Sequence, residues 1–240
     1  MTLFPDMCNS VLGESIVGRA RENGKVEINA IDIRDYTEDK HRRVDDKPYG
    51  GGMGMIMQAQ PIWDCFNSLC EKIGKKPHLI YMTPQGKTLT QERVKELSKL
   101  ENIAILCGHY EGVDERVIEA LEPEEISIGD YVLTGGELPA LILADSISRL
   151  LPGVLSDDEC FTDESHYASL LEYPQYTHPS EWQGREVPEV LLSGHHQRVE
   201  QWRREQSLKR TYERRADMLE NADLTEKDKM YISSLTADTK

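Results

Sequence analysis

The residues of this chain that could do chemistry fall in short stretches rich in glycine. The longest is Ile128-Gly129-Asp130-Tyr131-Val132-Leu133-Thr134-Gly135-Gly136-Glu137-Leu138-Pro139, where apolar residues lead into a glycine pair and a proline follows. Glycine lets backbone approach a ligand where a side chain would collide, and it accepts positive φ. Proline in a first helical turn loses no needed donor. The pattern predicts a strand, a tight bend and a buried helix, with backbone N–H and C=O groups presented at the bend. A purely structural turn accounts for the same letters equally well. Gly50-Gly51-Gly52-Met53-Gly54-Met55 could cradle a phosphate, but the Lys-Ser/Thr of a phosphate loop does not follow it. Nor does it open as a dinucleotide fingerprint after a strand. Five cysteines (Cys8, Cys65, Cys70, Cys107, Cys160) include no C-x-x-C pair. A disulfide framework or zinc site is not expected, and a reducing cytoplasm fits. Cys107 ends an apolar run and reads as a small buried hydrophobe.

These stretches need elements to hold them. Thr2 to Pro5 reads as the tail of a short first strand. Residues 6–24 carry Val11, Leu12, Ile16 and Val17 at helical spacing, and Val26 to Ile31 alternates as a strand. Residues 34–49 are dense in both signs of charge and read as a solvated loop. Residues 61–73 place Ile62, Phe66, Leu69 and Ile73 on one helical face. His78 to Thr83 reads as a strand cut by Pro84-Gln85-Gly86. Thr90 is a good N-cap, with Leu89 and Val94 placed as a hydrophobic staple, for a helix burying Val94, Leu97 and Leu100. Asn102 to Gly108 is a second buried strand. Strand, helix, strand within some thirty residues predicts a parallel pair, and ligands bind such sheets outside the strands' carboxyl ends. Three glycine-bearing loops would then share one edge: Thr83 to Gly86, Gly108 to Gly112, and Ile128 to Pro139. Helices follow from about Asp114 to Leu121 and over 137–151.

The 240 residues suffice for one large domain or two modest ones, and the longest apolar run is far too short to span a bilayer. No secretory signal is visible. Residues 155–168 are acidic and linker-like, and beyond them Pro174, Pro179 and Pro188 punctuate an irregular segment. A long helix is expected from about Ser193 or Gly194 toward Arg215. The whole chain carries −15, which argues against a general nucleic-acid coat. Yet His195 to Arg215 holds seven Arg and Lys against three Glu, a local basic footprint suited to an anionic partner. The plainer reading is a solvated face with Glu200–Arg204 and Glu205–Lys209 pairs. Thr225 with Asp228 resembles a capping box opening a last helix.

Taken together, Leu3-Phe4-Pro5, Val44 through Met55, Pro84-Gln85-Gly86, Cys107 through Arg116 and Ile128 through Pro139 closely resemble the TrmD family. These are the bacterial tRNA (guanine-N1)-methyltransferases of the SPOUT class. The likeness continues through Ser148-Arg149-Leu150, Pro152 to Leu155, Leu171 to Thr177 and Gln206-Ser207-Leu208, so it covers almost the whole chain. It implies an α/β catalytic domain over 1–154, with a parallel sheet and a deep trefoil knot. It further implies an interdomain linker over 155–170 and a small, mostly α-helical tRNA-binding domain over 171–240. Spacing alone could never suggest a knot, since chains almost always avoid them. The implied assembly is an obligate homodimer with the site at its interface.

The implied reaction moves a methyl group from S-adenosylmethionine to N1 of guanosine 37 in tRNAs carrying G36-G37. By position, the donor would sit among Tyr81, Thr83, Pro84, Gly108, Tyr110 and Glu111. It would also meet the bend at Ile128, Gly129, Asp130, Tyr131, Val132 and Leu133, then Gly135, Gly136 and Pro139. Neutral guanine carries a proton on N1, so a base must remove it, and charge then grows on O6. By resemblance Arg149 supplies the stabilising cation, although a cation satisfying a helix C-terminus explains it as well. The family's base is an Asp in a Glu-Asp-Ser pattern. This chain reads Asp163-Glu164-Ser165, which puts Glu164 at the base position with Asp163 as the alternative. Asp45 and the loop at Gly54 would meet the flipped guanosine, and Ser165 would also contact the tRNA. Arg203, Lys209, Arg210 and Arg214 would grip the anticodon stem through phosphates. Mg²⁺ is a candidate cofactor to which no residue is assigned. The resemblance also implies a few residues ahead of Leu3-Phe4-Pro5. The rival class is an RNA-binding module that keeps the fold without binding the donor.

Overall fold

Alternation along two parallel strands decides the architecture. Leu79 and Tyr81, with Ala104 and Leu106, face one apolar cluster, while Ile80 and Met82, with Ile105 and Cys107, face another. Successive side chains of a strand point to opposite faces, so a strand apolar at every position needs cover on both. The structure, a computed structural model, describes residues 1–156, 161 and 164–237. It divides into two units, Met1–Asp158 and Glu159–Lys240.

The first unit runs α1 (Pro5–Leu12), α2 (Ser15–Glu22), a 3-10 turn (Ile33–Tyr36), β1 (Asp45–Asp46), β2 (Ile56–Met57) and α3 (Ala59–Ile73). It continues with β3 (His78–Thr88), α4 (Gln91–Leu97), β4 (Ile103–Cys107), α5 (Glu115–Leu121), β5 (Glu124–Ser127) and α6 (Glu137–Ser148). The main sheet has the order β4-β3-β5, all parallel, as the βαβ reading expects. Phe66 of α3 and Val117 of α5 pack on one face; Leu97 of α4 and Leu143 of α6 pack on the other. Thr90 caps α4 as expected, accepting from the Arg93 amide at 3.3 Å.

Several local expectations fail for physical reasons. The helix expected over 6–24 is two helices broken at Gly13-Glu14. Val26 to Ile31 forms no strand, no element of the sheet running beside it. Thr2 takes one bridge to Asp32, with Thr2 N–H donating to Ile31 at 2.9 Å and Ile33 N–H to Thr2 at 3.0 Å. Met1 instead lies along β4, its carbonyl accepting from Cys107 at 3.0 Å. The charged segment 34–49 is not all loop: Val44 is buried and leads into β1, which pairs antiparallel with β2. Leu100 is 42% exposed, since α4 stops at Leu97. The strand expected to run into Gly129 stops at Ser127, where β5 ends. α6 is not buried all round: Leu138 is 48% and Ile142 is 46% exposed.

Pro84-Gln85-Gly86 does not cut its strand either. β3 pairs with β5 up to Met82, loops out, and resumes at Lys87, so that Met82 and Lys87 both face Ile126. Proline lacks the ladder donor and belongs at such a bulge. Gly86 closes it: a Cβ there would lie 2.4 Å from the Glu125 carbonyl carbon.

The second unit holds a two-stranded hairpin, β6 (Glu181–Trp182) and β7 (Arg185–Glu186), then α7 (Glu189–Leu192), α8 (His196–Arg214), a 3-10 turn (Ala216–Asn221) and α9 (Glu226–Ala237). The hairpin was hidden in a proline-rich stretch. Leu170, Leu208 and Met218 are buried, and Thr211 Oγ1 accepts from the Leu171 amide at 2.9 Å. The capping box forms as read: Asp228 N–H donates to Thr225 Oγ1 at 3.2 Å, and Thr225 N–H to Asp228 Oδ2 at 2.9 Å. The Glu200–Arg204 and Glu205–Lys209 pairs do not form. Arg204 reaches Asp228 at 2.9 Å, Lys209 turns to Glu213, and Gln201 bonds Glu205. No helix among the described residues is long and apolar enough to cross a membrane.

Candidate active site

The three glycine loops meet where the parallel strands end. The bulge Thr83–Gln85, the loop Gly108–Val113 and, from the following bend, Ile128 and Tyr131–Gly136 line one pocket together with Tyr81 and Ile126 of the strands. Two backbone contacts lock the loops together. Gly136 N–H donates to Gly108 O at 2.8 Å, and His109 and Gly135 form an antiparallel bridge. A Cβ on Gly136 would sit 2.8 Å from Cys107 Cα and 2.9 Å from Gly108 N, so only glycine permits this approach. Burial pushes the Tyr81 phenol above its ordinary value, and a Cβ on Gly108 would touch that hydroxyl at 3.0 Å.

Of the residues expected at the donor, the pocket brings together Tyr81, Thr83, Pro84, Gly108, Tyr110 and Glu111. It also includes Ile128, Tyr131, Val132, Leu133, Gly135, Gly136 and Pro139. Gly129 and Asp130 are not in its lining: Gly129, at φ +147°, forms the turn behind Tyr131, and Asp130 is exposed. Three acids, Glu111, Glu115 and Glu125, line the pocket, and His109 is the one basic side chain among the lining residues.

The loop at Gly54 reaches this wall. Glu111 N–H donates to Met55 O at 3.0 Å, Met57 N–H donates to Gly112 O at 2.9 Å, and a Cβ on Gly54 would strike the Glu111 carboxylate at 2.4 Å. Asp45 is half-buried and pairs across β1–β2 with Met57. Asp114 caps α5, and the Arg116 guanidinium beside it holds its carboxyl below the usual carboxylate range. Arg149 is the C-cap of α6, its N–H donating to Asp145 O at 3.1 Å.

Glu164 lies in the second unit, in a turn where its carbonyl accepts from Tyr167 N–H at 3.2 Å; Asp163 lies outside the described residues. Ser165 Oγ accepts from the Glu172 amide at 2.9 Å. Arg203, Lys209, Arg210 and Arg214 are on α8, and Arg203 stacks 4.8 Å over Tyr173. Sequence reasoning missed Glu137, which is only 3% exposed, and its neighbour His109, whose Nδ1 is buried with no hydrogen-bond partner among the described residues. Glu137 follows two glycines at a helix start, a place that normally suggests a solvated acid.

Fold and site define an α/β protein whose parallel sheet presents an acidic, glycine-walled pocket at its carboxyl edge. The family model for tRNA (Guanine-1)-methyltransferase TrmD matches residues 1–221, and the chain belongs to that family. A relative from Ruminiclostridium cellulolyticum, named tRNA (guanine-N(1)-)-methyltransferase, is 61% identical over 218 residues, covering 91% of this chain and 94% of that one. One of the same name from Lachnospira eligens is 56% identical, over 92% and 93%. The crystal structure of tRNA (m1G37) methyltransferase from Aquifex aeolicus matches with a TM-score of 0.70 at 44% identity, covering 84% of each chain.

Proposed function

We propose that this protein transfers a methyl group from S-adenosylmethionine to N1 of guanosine 37 in tRNAs with G36-G37. The observation that carries the reading is the convergence of three glycine loops on one pocket walled by Glu111, Glu115 and Glu125. Family membership supports the activity, and the pocket fits the donor. Its glycines leave room that Cβ atoms would fill, and its acids suit a positively charged sulfonium. The donor supplies a methyl group poised for in-line displacement.

The chain's own groups do the rest in this reading. Tyr81, Gly108 and the Ile128–Gly136 bend hold the donor. Asp45 and the Gly54 loop take the target base. Glu164, or Asp163, removes the N1 proton, and Arg149 stabilises the charge that grows on O6. The basic face of α8, with Arg203, Lys209, Arg210 and Arg214, holds the anticodon stem. The knot and the homodimer belong to the same proposal. The exposed Leu138 and Ile142 of α6, beside the exposed Met7 and Val11 of α1, support a second copy as partner.

The test is methylation of a tRNA transcript carrying G36 and G37 against one lacking G37. Transfer to the first alone is expected; equal transfer to both, or to neither, overturns the reading.

A further inference from the structure

Glu137 is the most deeply buried acid among the described residues of the first unit and plays no part in the reaction as proposed above. Its Oε1 accepts from the Thr2 hydroxyl at 2.8 Å, and its Oε2 lies 3.9 Å from His109 Nδ1. A carboxylate in such a place needs more than one hydroxyl to offset its lost hydration. The buried thiols of Cys8 and Cys107 feel its charge. A thiol is neutral or anionic, so neither cysteine brings a counter-charge. Among the described residues, His109 is the basic side chain that approaches Glu137.

The surroundings are shaped for that meeting. A Cβ on Gly135 would lie 2.6 Å from both Glu137 Oε2 and His109 Nδ1, so the glycine clears the space between them. Phe4 and Tyr110 flank the imidazole, with ring centroids at 4.9 and 4.8 Å. His109 also lines the pocket, whose other charged side chains are Glu111, Glu115 and Glu125, so with Nδ1 turned to Glu137 its opposite nitrogen is left for a ligand.

We propose that Glu137 is a positioning residue. On donor binding it takes the Nδ1–H of His109, the 3.9 Å gap closing to a direct hydrogen bond, and the imidazole, carrying a proton on each nitrogen between two carboxylates, donates its Nε2–H to the carboxylate of the methyl donor's amino-acid end. The inference rests on the donor reading above and adds how the donor's anionic end is recognised in an otherwise acidic pocket.

Calorimetry with two probes tests it. S-adenosylhomocysteine keeps the amino-acid end, while methylthioadenosine lacks it. His109→Phe, which preserves the ring packing, is expected to weaken S-adenosylhomocysteine about tenfold or more, the scale of a charge-assisted hydrogen bond, and to leave methylthioadenosine unchanged. Glu137→Gln is expected to shift the same ratio in the same direction by less. Equal losses for both probes, or none, overturn the proposal. If wild-type protein binds neither probe, the donor reading itself has failed. Should a variant fail to fold, the imidazole ¹⁵N shifts of wild-type protein bound to S-adenosylhomocysteine decide: both nitrogens protonated uphold the proposal, and either one bare overturns it.

Discussion

Gly136 has no room for a side chain, and that is a stronger statement than its sequence context allowed. Its hydrogen bond to Gly108 ties the bend to the neighbouring loop, and an added methyl would meet backbone on β4 rather than a side chain that could swing away. Gly136→Ala is therefore expected to cost about 1–3 kcal/mol of stability and to abolish donor binding, read by thermal melting and by calorimetry. Retained affinity would show that the loops need not touch. Arg149 belongs to the same scale. As the C-cap of α6 it lies where a cation favours the helix terminus, so Arg149→Ala should lower stability slightly. Its proposed part in turnover is far larger: at least a ~10²-fold fall with donor affinity near normal. Single-turnover methylation separates the two, and a variant that turns over normally removes Arg149 from the mechanism. The glycines could be picked out from the sequence because no other residue does their work. The Glu137–His109 meeting could not, because burial of an acid depends on Thr2, far away in the chain, closing over it.

Elements were legible where a single period ran without interruption. α3 and β4 appear close to their expected bounds because apolar residues recur at helical spacing in one and fill the other. The failures mark places where tertiary pairing overrode local signals. β3 continues past a proline because β5 offers the same residue, Ile126, to both sides of the bulge. The far end of that sheet carries its own electrostatic staple. Glu124, at the start of β5, accepts from Arg93 Nε at 2.7 Å and lies 2.5 Å from His78 Nε2 on β3. The Arg93 guanidinium, ahead of His78, holds the Glu124 carboxyl below its usual range against the opposing effect of burial. A carboxyl with a lowered native value adds stability above the ordinary carboxylate range and loses it as pH falls through that native value. Glu124→Gln should thus lower the melting temperature at neutral pH, and the gap to wild type should shrink as the solution is acidified. A gap that persists unchanged once the carboxyl is protonated would show that packing, not charge, sets the difference.

At the scale of the whole molecule, two surfaces run against the average. The first is apolar: Leu138 and Ile142 lie one turn apart on α6, and Met7 and Val11 do the same on α1, which packs against it. If a second copy covers them, Ile142→Glu should convert a dimer to monomer in sedimentation, while a wild-type monomer at micromolar concentration would end the proposal. The second is electrostatic. A chain of −15 repels nucleic acid at long range, so binding to tRNA must draw on a local patch, and α8 sets six Arg and Lys against three Glu. Not all of them are equally placed to act. Arg204 is tied to Asp228 and Arg215 to Asp217, whereas Arg203 lies on the Tyr173 ring and Lys209 only approaches Glu213 at 3.9 Å. Replacing a phosphate-bound cation reduces the slope of log affinity against log salt by ~1, whereas breaking an internal ion pair changes stability instead. Arg203→Ala, Lys209→Ala, Arg210→Ala and Arg214→Ala are each expected to flatten the salt dependence of tRNA binding by about that amount with little change in melting temperature. Arg204→Ala should do the reverse, because it strips the partner from the nearly buried Asp228 that opens α9. Salt titrations of the five variants distinguish the outcomes, and an unchanged slope across the first four would remove α8 from the tRNA interface.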